Sequence, residues 1–127
     1  MKIKKLFMSL LAILICSISC AQNNNVSELL PPEAFSDFIV GEGIQLIDVR
    51  TPEEFAEGHI GKAVNINYND VNFEEHTSNS LNKTLPVAIY CRSGVRSHNA
   101  AAILFKNGFK VYELQGGILS WKGNLIK

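Results

Sequence analysis

The chain has 127 residues, with 12 Lys and Arg against 12 Asp and Glu and 46% hydrophobic residues. That length supports one hydrophobic core and not two. The even charge balance carries no basic footprint for nucleic acid.

The first segment reads as an export signal. Lys2, Lys4 and Lys5 form a positive stretch, Leu6 to Cys16 is apolar apart from Ser9, and small residues follow at Ser17, Ser19 and Ala21. The apolar run falls short of the roughly 20 residues that a transmembrane helix needs. Two processing routes fit. Ser19-Cys20-Ala21 resembles a small-x-small site cleaved after Ala21. Ser17-Ile18-Ser19-Cys20 resembles a lipobox, which would lipidate Cys20 and make it the new N-terminus. The sequence leaves both routes open. The organisation expected is a signal peptide over 1–21, a polar tether over 22–25 and one folded domain over 26–127. Loss of the three signal lysines leaves 9 basic and 12 acidic residues, a net charge of −3. The expected location is the periplasm or cell envelope, with membrane attachment only through a lipid on Cys20.

Along the domain, Val26 to Leu29 reads as a short edge strand. Pro31-Pro32 opens a helix through Phe35, Phe38 and Ile39, with apolar spacing of 3 to 4, and Gly41 and Gly43 end it. Ile44 to Val49 is a mostly apolar strand, as expected for a sheet covered on both faces. Thr51-Pro52-Glu53-Glu54 is a helix start, with Thr51 as N-cap and Glu54 completing a capping box. That helix stops at Gly58, and Ala63 to Ile66 forms a second short strand. The polar, Asn-rich stretch from Tyr68 to Lys83 holds one helix, expected around Val71 to His76. Pro86 to Tyr90 is the central strand. An Ala-rich helix from Ser97 ends at Asn107-Gly108, Phe109 to Glu113 is the last strand, and Gly116-Gly117 turns the chain into a terminal helical turn over Ile118 to Trp121.

Strands alternating with helices predict an α/β fold with a mainly parallel five-stranded sheet and helices on both faces. Ligands of such sheets sit outside the carboxyl ends of the strands. Cys91 follows the central strand directly, and Arg50 follows another.

Cys91 opens the stretch Cys91-Arg92-Ser93-Gly94-Val95-Arg96-Ser97. A strand, a short polar loop with a glycine, then a helix is the geometry in which backbone N–H groups converge on one point. Converging N–H groups, a helix N-terminus and nearby guanidinium groups favour a thiolate over a thiol. Cys16 lies in the signal, and Cys20 is removed or lipidated, so Cys91 is the one free thiol of the exported domain. An unpaired cysteine in an oxidising compartment reads as reactive. The expectation is an activated cysteine in an anion-binding cradle.

Asp48-Val49-Arg50, Glu54-Phe55, Gly58-His59-Ile60-Gly61-Lys62-Ala63-Val64-Asn65-Ile66, the Cys91 stretch, Gly116-Gly117 and Trp121 together resemble a rhodanese homology domain. The resemblance covers essentially all of Val26 to Lys127. It implies a single-domain sulfurtransferase fold with Cys91 as the catalytic nucleophile. A donor such as thiosulfate would give its sulfane sulfur to form a Cys91 persulfide, and a thiophilic acceptor, cyanide or a thiol, would then take it. The substrate-binding cradle would be Arg92, Ser93, Gly94, Val95 and Arg96. No metal or organic cofactor is implied, and no spacing among His59, His76 and His98 fits a metal-ligand pair. The expected partners are these small molecules, with the protein a monomer. The alternative is a non-catalytic binding module or persulfide carrier in the cell envelope.

Within the cradle, Arg96 is the expected clamp for the oxygens of an anionic donor. Gly94 lets the backbone turn its N–H groups inward. The Cys-x4-Arg spacing is one residue shorter than the Cys-x5-Arg loop of cysteine phosphatases, which favours a persulfide sulfur over phosphate. Asp48 and Arg50 are expected to form a structural pair, with Arg50 near the pocket rim. His59 is expected to be structural rather than the base of a Cys–His dyad. The direction of His98 is open, and Trp121 is expected to be a core or rim aromatic.

Overall fold

The computed structural model describes residues 27–127, so the signal and tether fall outside the described residues. Five parallel strands form one sheet in the order β1-β5-β4-β2-β3. They are β1 (Glu28–Leu30), β2 (Gln45–Asp48), β3 (Val64–Asn65), β4 (Val87–Tyr90) and β5 (Val111–Leu114). Four helices connect them: α1 (Pro32–Ile39), α2 (Pro52–Glu57), α3 (Phe73–Ser80) and α4 (Val95–Lys106). A 3-10 turn over Gly117–Ser120 follows β5.

Central strand β4 is buried at every position, which explains its unbroken apolar run. Its side chains alternate between two cores. Ile89 and Cys91 pack on one face with Ala100, Ala101 and Leu104 of α4 and Phe73 of α3. Ala88 and Tyr90 pack on the other with Phe35 of α1, Leu114, Ile118 and Trp121. Trp121 meets Phe35 edge to face, with ring centroids 6.3 Å apart.

Most boundaries follow the sequence reading, and several shift. The edge strand lies at Glu28–Leu30, one to two residues later than expected, and β5 ends at Leu114. Helix α3 spans Phe73–Ser80 rather than Val71 to His76. Phe73 and Thr77, four residues apart, form its buried face, while Val71 stays exposed. Only Val64 and Asn65 pair in β3.

The shift that matters most is at α4, which starts at Val95 instead of Ser97. Gly94, at φ 112°, is its N-cap, and the Gly94 carbonyl accepts the His98 N–H at 3.1 Å. Val95 and Arg96 are therefore the first residues of a helix, not the end of a loop.

Candidate active site

The site is built where β4 runs into α4. Cys91 is 1% exposed and unpaired. Its Sγ accepts a hydrogen bond from the Gly94 N–H at 3.1 Å. The Ser97 hydroxyl lies 3.3 Å from Sγ and 3.3 Å from the Gly94 carbonyl, so its single proton serves one or the other. The first N–H groups of a helix have no intrahelical acceptor and concentrate positive potential at its N-terminus. At α4 the backbone N–H that donates to Sγ is that of Gly94, the N-cap.

The outward side of the loop is held by the 3-10 turn. The Ile118 N–H donates to the Cys91 carbonyl at 2.8 Å, and the Leu119 N–H donates to the Arg92 carbonyl at 3.1 Å. With both carbonyls engaged on that side, the loop turns its amides the other way. Gly117, at φ 65°, lets the turn come this close: a Cβ there would lie 2.3 Å from the Arg92 carbonyl oxygen and 2.8 Å from that of Cys91. The sequence reading had Gly116-Gly117 only as a turn.

The cradle residues separate into distinct environments. Arg92 and Ser93 are exposed. Arg92 lines an open cleft of about 340 Å³ together with Arg50, Glu54, Glu57, Ile118 and Leu119. Val95 stands exposed at the first helical position. Arg96, the expected clamp, forms a two-point ion pair with Glu54 of α2, at 2.7 and 3.0 Å. Glu54 also closes the expected capping box: the Thr51 hydroxyl accepts from the Glu54 N–H, and Glu54 Oε1 accepts from the Thr51 N–H, both at 3.2 Å. The Arg96 hydrogen bonds, joined by those of Thr51, hold the Glu54 carboxyl down at about 2 despite its partial burial. Arg96 is held above its ordinary value, chiefly by its hydrogen bonds to Glu54 and also by the Cys91 sulfur.

Behind the site lies a second ion pair. Asp48 is fully buried and binds Arg50 at 2.7 Å, and Arg50 also donates to the Gly58 carbonyl at 2.7 Å. The Tyr90 hydroxyl accepts the Ile60 N–H at 3.0 Å, and burial together with the Asp48 charge pushes its titration upward. This web ties the ends of β2 and β4 to the turn that enters β3. It gives Asp48 and Arg50 the structural role expected, with Arg50 reaching the cleft rim.

His59 is not paired with Cys91. It stacks on Phe55 at 3.6 Å, its Nδ1 sits 3.0 Å from the Phe55 carbonyl, and its backbone bridges to Ile126. His98 faces β5, where its Nδ1 lies 3.2 Å from buried Glu113. His76 is on the exposed side of α3.

Sequence reasoning missed three contributors. Ser97 was quoted in the motif without a role, although a serine one turn into a helix behind a cysteine is placed to donate to it. Glu54 was read only as a cap. Gly117 was read only as part of a turn.

Residues 31–124 match the family model described as a rhodanese-like domain. The putative sulfurtransferase YtwF of Bacillus subtilis is 42% identical over 82 residues, covering 65% of this chain and 77% of that one. A tRNA uridine(34) hydroxylase of Pelagibacter ubique is 34% identical over 113 residues, 87% of this chain, which spans only 37% of that protein. Among solved structures, a rhodanese-like domain protein from Staphylococcus aureus superposes with a TM-score of 0.68 at 30% identity, covering 79% of this chain and 98% of that one.

Two outcomes follow from the geometry. Gly117→Ala forces a methyl group into the loop carbonyls and is expected to cost about 2 kcal/mol in urea unfolding. Gly61→Ala, whose Cβ would meet only Ile126 at 4.0 Å, is the control and is expected to stay within about 0.5 kcal/mol of the parent. The second outcome concerns pH. The folded-state value of Glu54 lies below its ordinary 4.5, so the stability it contributes is fully present above that value and is lost as pH falls toward about 2. The stability difference between the parent and Glu54→Gln, followed by urea unfolding, is expected to shrink over that window and to stay level above it.

Proposed function

The chain belongs to the rhodanese-like domain family, and on that premise we propose that it is a sulfurtransferase working through a Cys91 persulfide. The observation that carries the proposal is the sulfur of Cys91, which sits at the carboxyl end of β4, beneath the α4 N-terminus, and accepts the Gly94 N–H.

The chemistry balances on that one atom. The Cys91 thiolate attacks the sulfane sulfur of a donor such as thiosulfate. A sulfur–sulfur bond forms to Sγ while the donor's own sulfur–sulfur bond breaks, and its electron pair leaves with sulfite. A thiolate or cyanide then attacks the outer sulfur of the persulfide, and the electron pair of the broken bond returns to Sγ. No net oxidation takes place and no redox cofactor takes part.

The protein contributes charge stabilisation and position. Donors fixed before the reaction cost no reorganisation when negative charge arrives at the outer sulfur. The bond to the added sulfur is about 2 Å long, which carries the reacting atom from a buried position toward the loop mouth.

We place this activity in the periplasm or cell envelope, after export directed by residues 1–21, with lipidation at Cys20 as the proposed means of membrane attachment and the protein acting as a monomer. The support is the positive, apolar and small-residue pattern of that segment.

The test is incubation of the purified protein with a sulfane donor, followed by intact-mass measurement. The expected result is a gain of one sulfur atom that cyanide removes and that Cys91→Ser abolishes. No gain from any donor would sink the proposal and leave a non-catalytic binding module.

A further inference from the structure

The cleft next to the Cys91 loop, which Arg92 and Glu54 line, is not arranged as a trap for a dianion. Two of the arginines at and next to it are already paired within the protein. Arg50 is bound by Asp48. Arg96 is bound at both terminal nitrogens by Glu54. Glu57, also on α2, adds a carboxylate to the cleft lining that no arginine binds. Arg92 is left as the one lining arginine outside an ion pair among the described residues.

A two-point arginine–carboxylate pair sets direction as well as energy. Here it aims the guanidinium of Arg96 at α2 and cancels most of the charge that a donor's oxygens would need. A dianion entering the cleft has to displace Glu54 from Arg96 or approach a pair with little net field. Within the cleft the unpaired carboxylate of Glu57 offsets the unpaired guanidinium of Arg92, so the two together leave no net positive charge for a dianion. A donor carrying less charge meets neither obstacle.

We infer that Glu54 sets donor choice at Cys91: by holding Arg96 in a closed ion pair it turns the site away from free sulfur dianions and toward organic persulfides. This rests on the sulfurtransferase reading and names the donor class for the same cysteine. The step balances as before. The Cys91 thiolate attacks the outer sulfur of R–S–SH, the new bond forms to Sγ, and the electron pair of the broken bond leaves on the thiolate R–S⁻. Glu54 does not touch the reacting atoms; it is a positioning residue acting through Arg96.

The geometry also supplies a suitable variant. Gln satisfies a capping box as Glu does, so Glu54→Gln retains the helix cap while removing the charge that holds Arg96.

The experiment measures the second-order rate of Cys91 loading by intact mass, with thiosulfate and with the persulfide of 2-mercaptoethanol. The parent is expected to load faster from the persulfide. Glu54→Gln is expected to raise the thiosulfate rate roughly three- to fivefold, the upper part of the range for one partly exposed ion pair, and to change the persulfide rate less than about twofold. In an Arg96→Ala background the same Glu54→Gln change is expected to give no thiosulfate gain, because the two residues act as one unit. A general loss of packing would move both donors together and would not depend on Arg96. An unchanged donor ratio in Glu54→Gln, with Cys91 still loading, overturns the role of Glu54 and leaves the sulfurtransferase reading standing. Absence of sulfur on Cys91 from either donor in the parent overturns that reading and this inference with it.

Discussion

The site depends on where two carbonyl groups point. The Cys91 and Arg92 carbonyls are taken by the amides of Ile118 and Leu119. A peptide unit is planar, so fixing a carbonyl on one side fixes the following N–H on the other. The 3-10 turn after β5 thus sets the polarity of a loop that follows β4. Gly117 is the residue that permits this contact, because any Cβ at that point would occupy the space of the carbonyls themselves. Gly94, left-handed at the far end of the loop, completes the turn and presents its own N–H to Sγ.

Two ion pairs frame this loop, and they do different things. The Asp48–Arg50 pair is deeply buried and also binds the Gly58 carbonyl. Removing one partner of such a pair leaves an uncompensated buried charge, so it fixes the strand ends rather than the chemistry. The Glu54–Arg96 pair is partly exposed and lies beside the cleft, where a ligand could compete with it. Both pairs draw their acids from the segment running from the end of β2 through α2. That segment buttresses the loop and also sets the charge of its mouth.

Much of this was legible in the sequence because the signals were local. The capping box at Thr51 and Glu54 has a fixed spacing and is present as read. The apolar run before Cys91 had to be a buried strand, and the alternation of strands and helices required parallel pairing. The Asp48–Arg50 pair spans two residues and needed no long-range information. What could not be read was pairing across sequence distance. Arg96 and Glu54 are 42 residues apart, and each had a sufficient local explanation, one as an anion clamp and the other as a cap. The contact of Gly117 with the Cys91 loop is hidden for the same reason: a double glycine announces a turn but not what the turn packs against. The start of α4 was misplaced because Val95 and Arg96 have ordinary polar-loop neighbours, and only the left-handed Gly94 shows where the helix begins.

On the proposed mechanism, the outer sulfur of a Cys91 persulfide is received by the N–H groups of the loop and the first turn of α4. A crystal structure of the protein after reaction with a sulfane donor tests this most directly. The expected result is added density on Sγ, with the outer sulfur within hydrogen-bonding distance of those amides and the Ile118 and Leu119 contacts intact. An outer sulfur turned toward the arginine side chains and away from the amides would contradict it.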